Sequence, residues 1–289
     1  MAKRIRIAKT VKELHKLLSS AYLNKKIGYV PTMGALHDGH ASLIKASVAK
    51  CDITVCSIFV NPTQFNDASD LKKYPRTLAA DVAILKAAKC DIVFAPSAKD
   101  IYPSGTKSKL KLRLGKLDKV MEGEFRAGHF KGVAQVVKRL LDIVKPTRLF
   151  MGQKDFQQFT IIQHMIDQLK LPTELVVCPT KRERSGLAMS SRNVRLEKDI
   201  KLRADVLYKT LLEAKELLQL GYTPKQIESY AMKAFKIPDF KPEYFRVVNG
   251  YNLQPIKSTA KLDYIVACTA VWAGEVRLID NMILRHPKA

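Results

Sequence analysis

Two histidines framing a glycine, in His37-Asp38-Gly39-His40, are the residue types in this chain best suited to chemistry. They follow Pro31-Thr32-Met33-Gly34-Ala35-Leu36, which itself follows a short β-favouring run, Ile27-Gly28-Tyr29-Val30. Beyond them Leu43, Ile44, Ser47 and Val48 recur at helical spacing. The pattern predicts a strand, a glycine-bearing loop and a helix, with both imidazoles on one side of the helix's first turn. A helix N-terminus offers unpaired N–H groups and the positive end of a dipole, a seat for phosphate. The plain alternative is a pair of surface histidines at an ordinary strand-to-helix turn. Neither a P-loop, which ends in Gly-Lys-Ser/Thr, nor a complete Gly-x-Gly-x-x-Gly pattern is present.

Three more polar stretches stand at predicted strand ends. The apolar strand Ile53 to Val60 runs into Asn61-Pro62-Thr63-Gln64-Phe65, placing two amides where open α/β sheets bind ligands. Asn61 and Gln64 are candidates to hold a hydroxyl or carboxylate, unless they only satisfy loop backbone. The strand Arg148-Leu149-Phe150-Met151 leads into Gly152-Gln153-Lys154-Asp155-Phe156-Gln157-Gln158, a second strand-to-helix turn, here with a lysine. After the strand Glu174 to Cys178, the stretch Arg182 to Asn193 gathers hydroxyls and guanidinium groups, Ser190-Ser191-Arg192 among them. Such groups suit a polyphosphate, although a Ser–Arg cluster can equally be a solvated surface.

The elements that would position these loops can be read from periodicity. Val11 to Leu23 predicts an amphipathic helix with Thr10 as N-cap. Leu78 to Ala88 predicts a helix and Asp91 to Ala95 a strand. Lys131 to Val144 carries one apolar face and stops at Pro146. Lys107 to Leu114 alternates basic residues with leucine, as an exposed β-hairpin arm would, and Glu122 to Gly132 reads as a mobile loop. From residue 181 the character changes. A long helix over Leu202 to Leu220 and a Thr223-Pro224 helix start precede strands Tyr244–Val248, Tyr264–Trp272 and Val276–Asp280, the last two joined by a hairpin. The expected class is α/β: a parallel-sheet N-terminal domain over residues 1–180 and a smaller α+β C-terminal domain over 181–289.

Composition narrows the function. The 289 residues suffice for a large core, and no apolar run approaches a membrane span. No apolar segment follows the basic start Met1–Arg6, so a cytoplasmic location is expected. Five scattered cysteines without a Cys-x-x-Cys pair argue for reduced thiols over disulfides or zinc. The net charge is +23, but the lysines are dispersed and lack interleaved aromatics, which suits attraction of anionic small molecules better than nucleic-acid recognition.

Taken together, Pro31–His40, Phe59–Phe65, Tyr74–Thr77, Gly128–Phe130, Lys154–Gln158, Leu187–Asn193 and Arg277–Asn281 resemble the pantothenate synthetase (pantoate–β-alanine ligase) family. The His-x-Gly-His element alone marks a wider nucleotidyltransferase superfamily. Its combination with Asn61–Phe65 and Ser190–Asn193 is far more specific. The resemblance implies a homodimeric enzyme, each subunit a Rossmann-like N-terminal domain with a smaller C-terminal lid, that uses ATP and Mg2+. Pantoate would attack the α-phosphorus of ATP, giving pantoyl adenylate and pyrophosphate, and the amine of β-alanine would then release AMP and pantothenate.

The same resemblance implies roles for individual residues. His37, His40, Lys154, Ser190, Ser191 and Arg192 would surround the triphosphate as the catalytic set. Met33, Gly39, Gly152, Asp155 and Met189 would complete the ATP site. Pro31, Thr32, Met33, Asn61, Gln64 and Gln158 would hold pantoate. No protein metal ligand and no base for the β-alanine ammonium is nominated. Gln153, Ser185 and Lys131 depart from the family's usual glutamate, aspartate and arginine, and none belongs to the catalytic set. The rivals are another adenylyltransferase of the superfamily and a basic nucleic-acid-binding protein; the membrane and specific nucleic acid are not expected partners.

Overall fold

Strands that must be covered on both faces are apolar nearly throughout, and that is how the chain builds its larger sheet. The computed structural model describes residues 5–19, 24–65, 71–72, 74–106 and 110–287. Within them β1 (Arg6–Ala8), β2 (Ile27–Thr32), β3 (Ile53–Ile58), β4 (Ile92–Phe94), β5 (Arg148–Gly152) and β6 (Glu174–Cys178) form one sheet in the order β1-β4-β3-β2-β5-β6. Every pairing is parallel. The chain steps from β2 to β3 on one side and returns to β5 on the other, so the strand order reverses beside β2. Loops leaving the C-terminal ends of strands at such a switch point are where α/β sheets place ligands.

Helices connect these strands. Val11–Ser19 is capped by Thr10, whose hydroxyl accepts the Glu13 N–H at 3.1 Å; residues 20–23, which the sequence pattern assigns to the same helix, lie outside those described. Asp38–Lys50 follows β2, Leu78–Ala87 precedes β4, His129–Val144 precedes β5, and Phe156–Gln168 lies between β5 and β6. Val30, Ile44, Cys56, Leu85, Val93 and Phe150 are shared core residues of sheet and helices.

The second sheet is an antiparallel meander of β7 (Phe240–Asn249), β8 (Ile265–Ala273) and β9 (Val276–Arg285). Only Gly274 and Glu275 separate β8 from β9. Leu207, Leu211, Ile227 and Ala231 from the helices Val206–Gln219 and Pro224–Ala234 pack with Phe245, Val247 and Val271 of this sheet. Thr223 caps the second helix through the reciprocal box with Gln226 that its Thr-x-x-Gln pattern predicts.

Three expectations are corrected. The single helix over Leu202 to Leu220 is two, Lys198–Arg203 and Val206–Gln219. Ala204 and Leu207 bond three residues back instead of four, tightening the turn between them. Of the anticipated hairpin arm, residues 107–109 lie outside those described and 110–114 form no strand. Arg113 is instead tied to the helix Phe156–Gln168: its N–H donates to Gln168 at 3.2 Å, and its carbonyl meets His164 Nε2 at 2.8 Å. The stretch read as a mobile loop holds a short helix, Glu122–Phe125, and the first turn of His129–Val144.

Contacts cluster into two units. The first comprises 1–113, 126–152 and 161–179; the second comprises 114–125, 153–160 and 180–289. All five cysteines are free. Among the described residues no helix is long and apolar enough to cross a membrane.

Candidate active site

In the first unit β2 delivers the chain into the loop that ends at His37. That residue is the N-cap of the helix Asp38–Lys50, and the cap is built from two imidazoles. His37 Nδ1 accepts the Gly39 N–H at 3.1 Å, and His40 Nδ1 accepts the His37 N–H at 3.3 Å. The ring centroids are 4.1 Å apart. Because each Nδ1 is an acceptor, each neutral ring carries its proton on Nε2. The two imidazoles therefore sit at the positive dipole end of the helix.

The loop before this cap is fixed by a residue that sequence reasoning missed. The buried Asp81 carboxylate accepts the Ala35 N–H at 3.1 Å, the Leu36 N–H at 2.8 Å and the Thr77 hydroxyl at 3.2 Å. A lone aspartate in the apolar helix Leu78–Ala87 was the available signal, since a carboxylate on a covered face must find donors. Thr32 is also turned inward, its hydroxyl donating to the Ser57 carbonyl at 2.6 Å.

Met33, Asn61 and Gln64 are brought together. Asn61 is buried, caps the turn Pro62–Gln64, and donates through Nδ2 to Gln64 Oε1 at 3.1 Å and to the Gly132 carbonyl at 3.4 Å. Its Oδ1 accepts the Tyr102 hydroxyl at 2.9 Å. Gln64 Nε2 points at Met33 Sδ, 2.9 Å away, a weak acceptor that a carboxylate or hydroxyl would outcompete. Behind this cluster the turn rests directly on the helix His129–Val144. A Cβ at Gly132 would stand 2.2 Å from the Thr63 carbonyl oxygen. His129 Nδ1 meets the Gln64 carbonyl at 2.8 Å, a second brace for which sequence supplied only the Gly-His-Phe motif.

In the second unit Lys154 lies on the turn ahead of the helix Phe156–Gln168, its Nζ 3.4 Å from Asp155 Oδ1. Gln157 is consumed by structure: it donates to the Leu117 and Val120 carbonyls and accepts the Glu122 N–H. Its neighbour Gln158 is half-buried. Residues 181–189 form a small hairpin, with Arg182 bridged to Ala188 and Met189 N–H donating to the Lys181 carbonyl at 3.0 Å. The hairpin delivers Ser190, whose hydroxyl accepts the Arg192 N–H at 3.2 Å. Asn193 closes it by donating to Glu183 at 2.9 Å and to the Ala188 carbonyl at 3.1 Å. Arg182 is paired in fork geometry with the buried Asp280, at 2.6 and 3.0 Å. Burial pushes the Asp280 carboxyl above its ordinary value, and the Arg182 guanidinium works against that rise.

The residues nominated from sequence are divided between the units: Pro31, Thr32, Met33, His37, Gly39, His40, Asn61, Gln64 and Gly152 belong to the first, and Lys154, Asp155, Gln158, Met189, Ser190, Ser191 and Arg192 to the second.

Known proteins are similar to this chain over nearly its whole length. A family model described as Pantoate-beta-alanine ligase matches residues 6–283. A pantothenate synthetase of Azobacteroides pseudotrichonymphae is 48% identical over 278 residues, covering 96% of this chain and 99% of the relative. The crystal structure of pantothenate synthetase from Thermus thermophilus superimposes with a TM-score of 0.90 at 37% identity, covering 98% of this chain and all of that one. A pantoate-β-alanine ligase from Francisella tularensis, complexed with beta-gamma ATP and β-alanine, gives 0.76 at 34% identity over 97% of this chain and 98% of its own. By sequence and by fold, the chain belongs to the pantoate–β-alanine ligase family.

Proposed function

We propose that the chain joins pantoate to β-alanine through pantoyl adenylate, with ATP as the activating substrate, and that the two-histidine helix cap carries the phosphate chemistry. Pantoate's carboxylate is already ionised at neutral pH, so the first step needs no general base. It needs in-line placement and neutralisation of the charge that builds on the phosphates. A helix N-terminus capped by two imidazoles, each turned so that Nδ1 accepts a backbone N–H, suits that need, and this cap is the observation on which the reading rests. In this reading His37, His40, Lys154, Ser190, Ser191 and Arg192 bind triphosphate oxygens, with Gly39, Gly152, Asp155, Met189 and Met33 completing the ATP site. Asn61 and Gln64, with Pro31, Thr32, Met33 and Gln158, receive pantoate.

Gly152 lends the nucleotide assignment independent support. Its φ is not in the left-handed region, and a Cβ there would meet nothing within 4 Å. The fold does not require glycine at this strand end, whereas a close-lying adenosine would. Gly152→Ala is expected to leave the thermal unfolding midpoint unchanged while raising the KM for ATP by about tenfold, the effect of roughly one lost contact. A lower midpoint with an unchanged KM would show that the glycine serves packing alone.

Magnesium enters this proposal on the nucleotide. Phosphate oxygens and water would supply most of the ligands such an ion takes. When bound, it would offset phosphate charge. A two-copy assembly is the further expectation, measurable by sedimentation equilibrium. The five free thiols, four of them buried, suit a reducing cytoplasm.

The reaction is tested by exchange of labelled pyrophosphate into ATP. Exchange is expected when pantoate is present and β-alanine is absent. Exchange that ignores pantoate, or that begins only on adding β-alanine, would overturn the adenylate reading.

A further inference from the structure

The motif Arg277-Leu278-Ile279-Asp280-Asn281 on β9 is part of the family resemblance, yet none of the roles above uses it. Its last two residues are almost wholly buried, at 3% and 2% exposure, and both side chains are polar. Buried amides and carboxylates persist where their partners are specific. Asn281 Nδ2 donates to the Gln153 carbonyl at 2.9 Å and to the Lys154 carbonyl at 2.8 Å, and its Oδ1 accepts Gln153 Nε2 at 3.3 Å. Both amide hydrogens are thus spent on two consecutive backbone carbonyls, which fixes the peptide that carries the Lys154 side chain. The Asn281 N–H in turn donates to Asp280 Oδ1 at 2.8 Å.

Successive strand residues face opposite sides, so Asp280 reaches elsewhere. Its carboxylate takes the Arg182 guanidinium, which also donates to the Gly186 carbonyl at 3.1 Å and lies 4.2 Å from the centre of the Tyr208 ring. These contacts hold the hairpin that leads into Ser190–Arg192. One step of one strand therefore anchors both the lysine-bearing turn and the base of the hydroxyl-and-guanidinium loop.

We propose that Asn281 is a positioning residue for Lys154, with Asp280 bracing the Ser190–Arg192 loop from the same strand. The role rests on the reading of Lys154 as a polyphosphate contact. A buried asparagine that only satisfied backbone carbonyls would affect stability and leave the chemical step alone. A positioning residue alters kcat, because small misplacement of a catalytic group weakens the transition state more than the ground state.

The test is a double-mutant cycle on pantoate-dependent pyrophosphate exchange, run well below each variant's melting temperature. Asn281→Ala is expected to lower kcat by about 10- to 100-fold with KM values for ATP and pantoate within about twofold. Asn281→Ser, which keeps one short donor, serves as a milder variant should the alanine protein not fold, and should fall between the two. In a Lys154→Ala background either substitution is expected to cost little more, because its route of action is already gone. An unchanged kcat in Asn281→Ala or Asn281→Ser, or full multiplication of the two effects, overturns the positioning role while leaving Lys154 in place. If Lys154→Ala alone leaves exchange intact, the reading of Lys154 fails, and the positioning role fails with it.

Discussion

Replacing Lys154 by alanine is expected to slow pantoyl-adenylate formation by about 10²- to 10³-fold, the usual cost of one lost electrostatic contact to a transition state. The ion-pair partner of the Lys154 ammonium, Asp155, is about half exposed and 3.4 Å away, a loose pair in high-dielectric surroundings. Such a pair is readily exchanged for a phosphate oxygen. As the carboxylate attacks the α-phosphorus, negative charge moves onto the departing pyrophosphate, and a fixed cation gains strength at that moment. The loss should therefore fall on kcat, with the KM for ATP changing by less than about tenfold. His40→Ala should behave alike, since it removes one Nε2–H donor and also the acceptor that caps the His37 N–H. Single-turnover measurement of adenylate formation separates the two parameters. A loss confined to ATP affinity, with the rate constant of adenylate formation unchanged, would mean that these groups supply only uniform binding.

What sequence made legible here is what local physics controls. The inner parallel strands β2 to β5 were visible because both faces are covered and most residues are apolar, whereas the three-residue edge strand β1 carries no such run. The histidine cap was visible because proline and glycine break the pattern just where helical periodicity begins. The rest depends on partners far along the chain. Asp81 holds the loop before His37 across a separation of 45 residues, and Asn281 reaches Lys154 across 127. Nothing near either residue announces the donor or carbonyl it will meet. Asn61 shows the limit from the other side. Its place at a strand end suggested a ligand contact, whereas its amide is also the cap and brace of its own turn. The two roles coexist only if Gln64, aimed at a thioether, supplies the more exchangeable donor.

Glu122 is the sharpest case, because glycine and charge around it read as a mobile loop while its carboxylate is the centre of a buried network. Arg277 grips it in fork geometry at 2.7 Å twice, and Tyr244 donates its hydroxyl at 2.9 Å. Arg277 also bonds Glu243 through Nε at 2.9 Å and through Nη2, and Trp272 donates to Glu243 at 3.2 Å. The three charged side chains are only 10 to 16% exposed. Burial alone would make Arg277 easier to deprotonate, but the hydrogen bonds and charge of Glu122, then those of Glu243, outweigh it and hold the guanidinium above its usual value.

Arg277→Ala should therefore lower the unfolding free energy by about 3–5 kcal/mol, because it takes the guanidinium from two mostly buried carboxylates. Glu122→Gln should cost less, about 1–2 kcal/mol, since the amide keeps a hydrogen-bonding oxygen and leaves Arg277 one carboxylate. The double variant should then be more stable than Arg277→Ala alone, as one of the stranded charges is gone. Urea unfolding at pH 7 measures all three. A loss below about 1 kcal/mol for Arg277→Ala would place the network among solvent-screened surface pairs. The sign of the coupling is the decisive quantity: only a charge buried against its partner makes removal of that partner worse than removal of both.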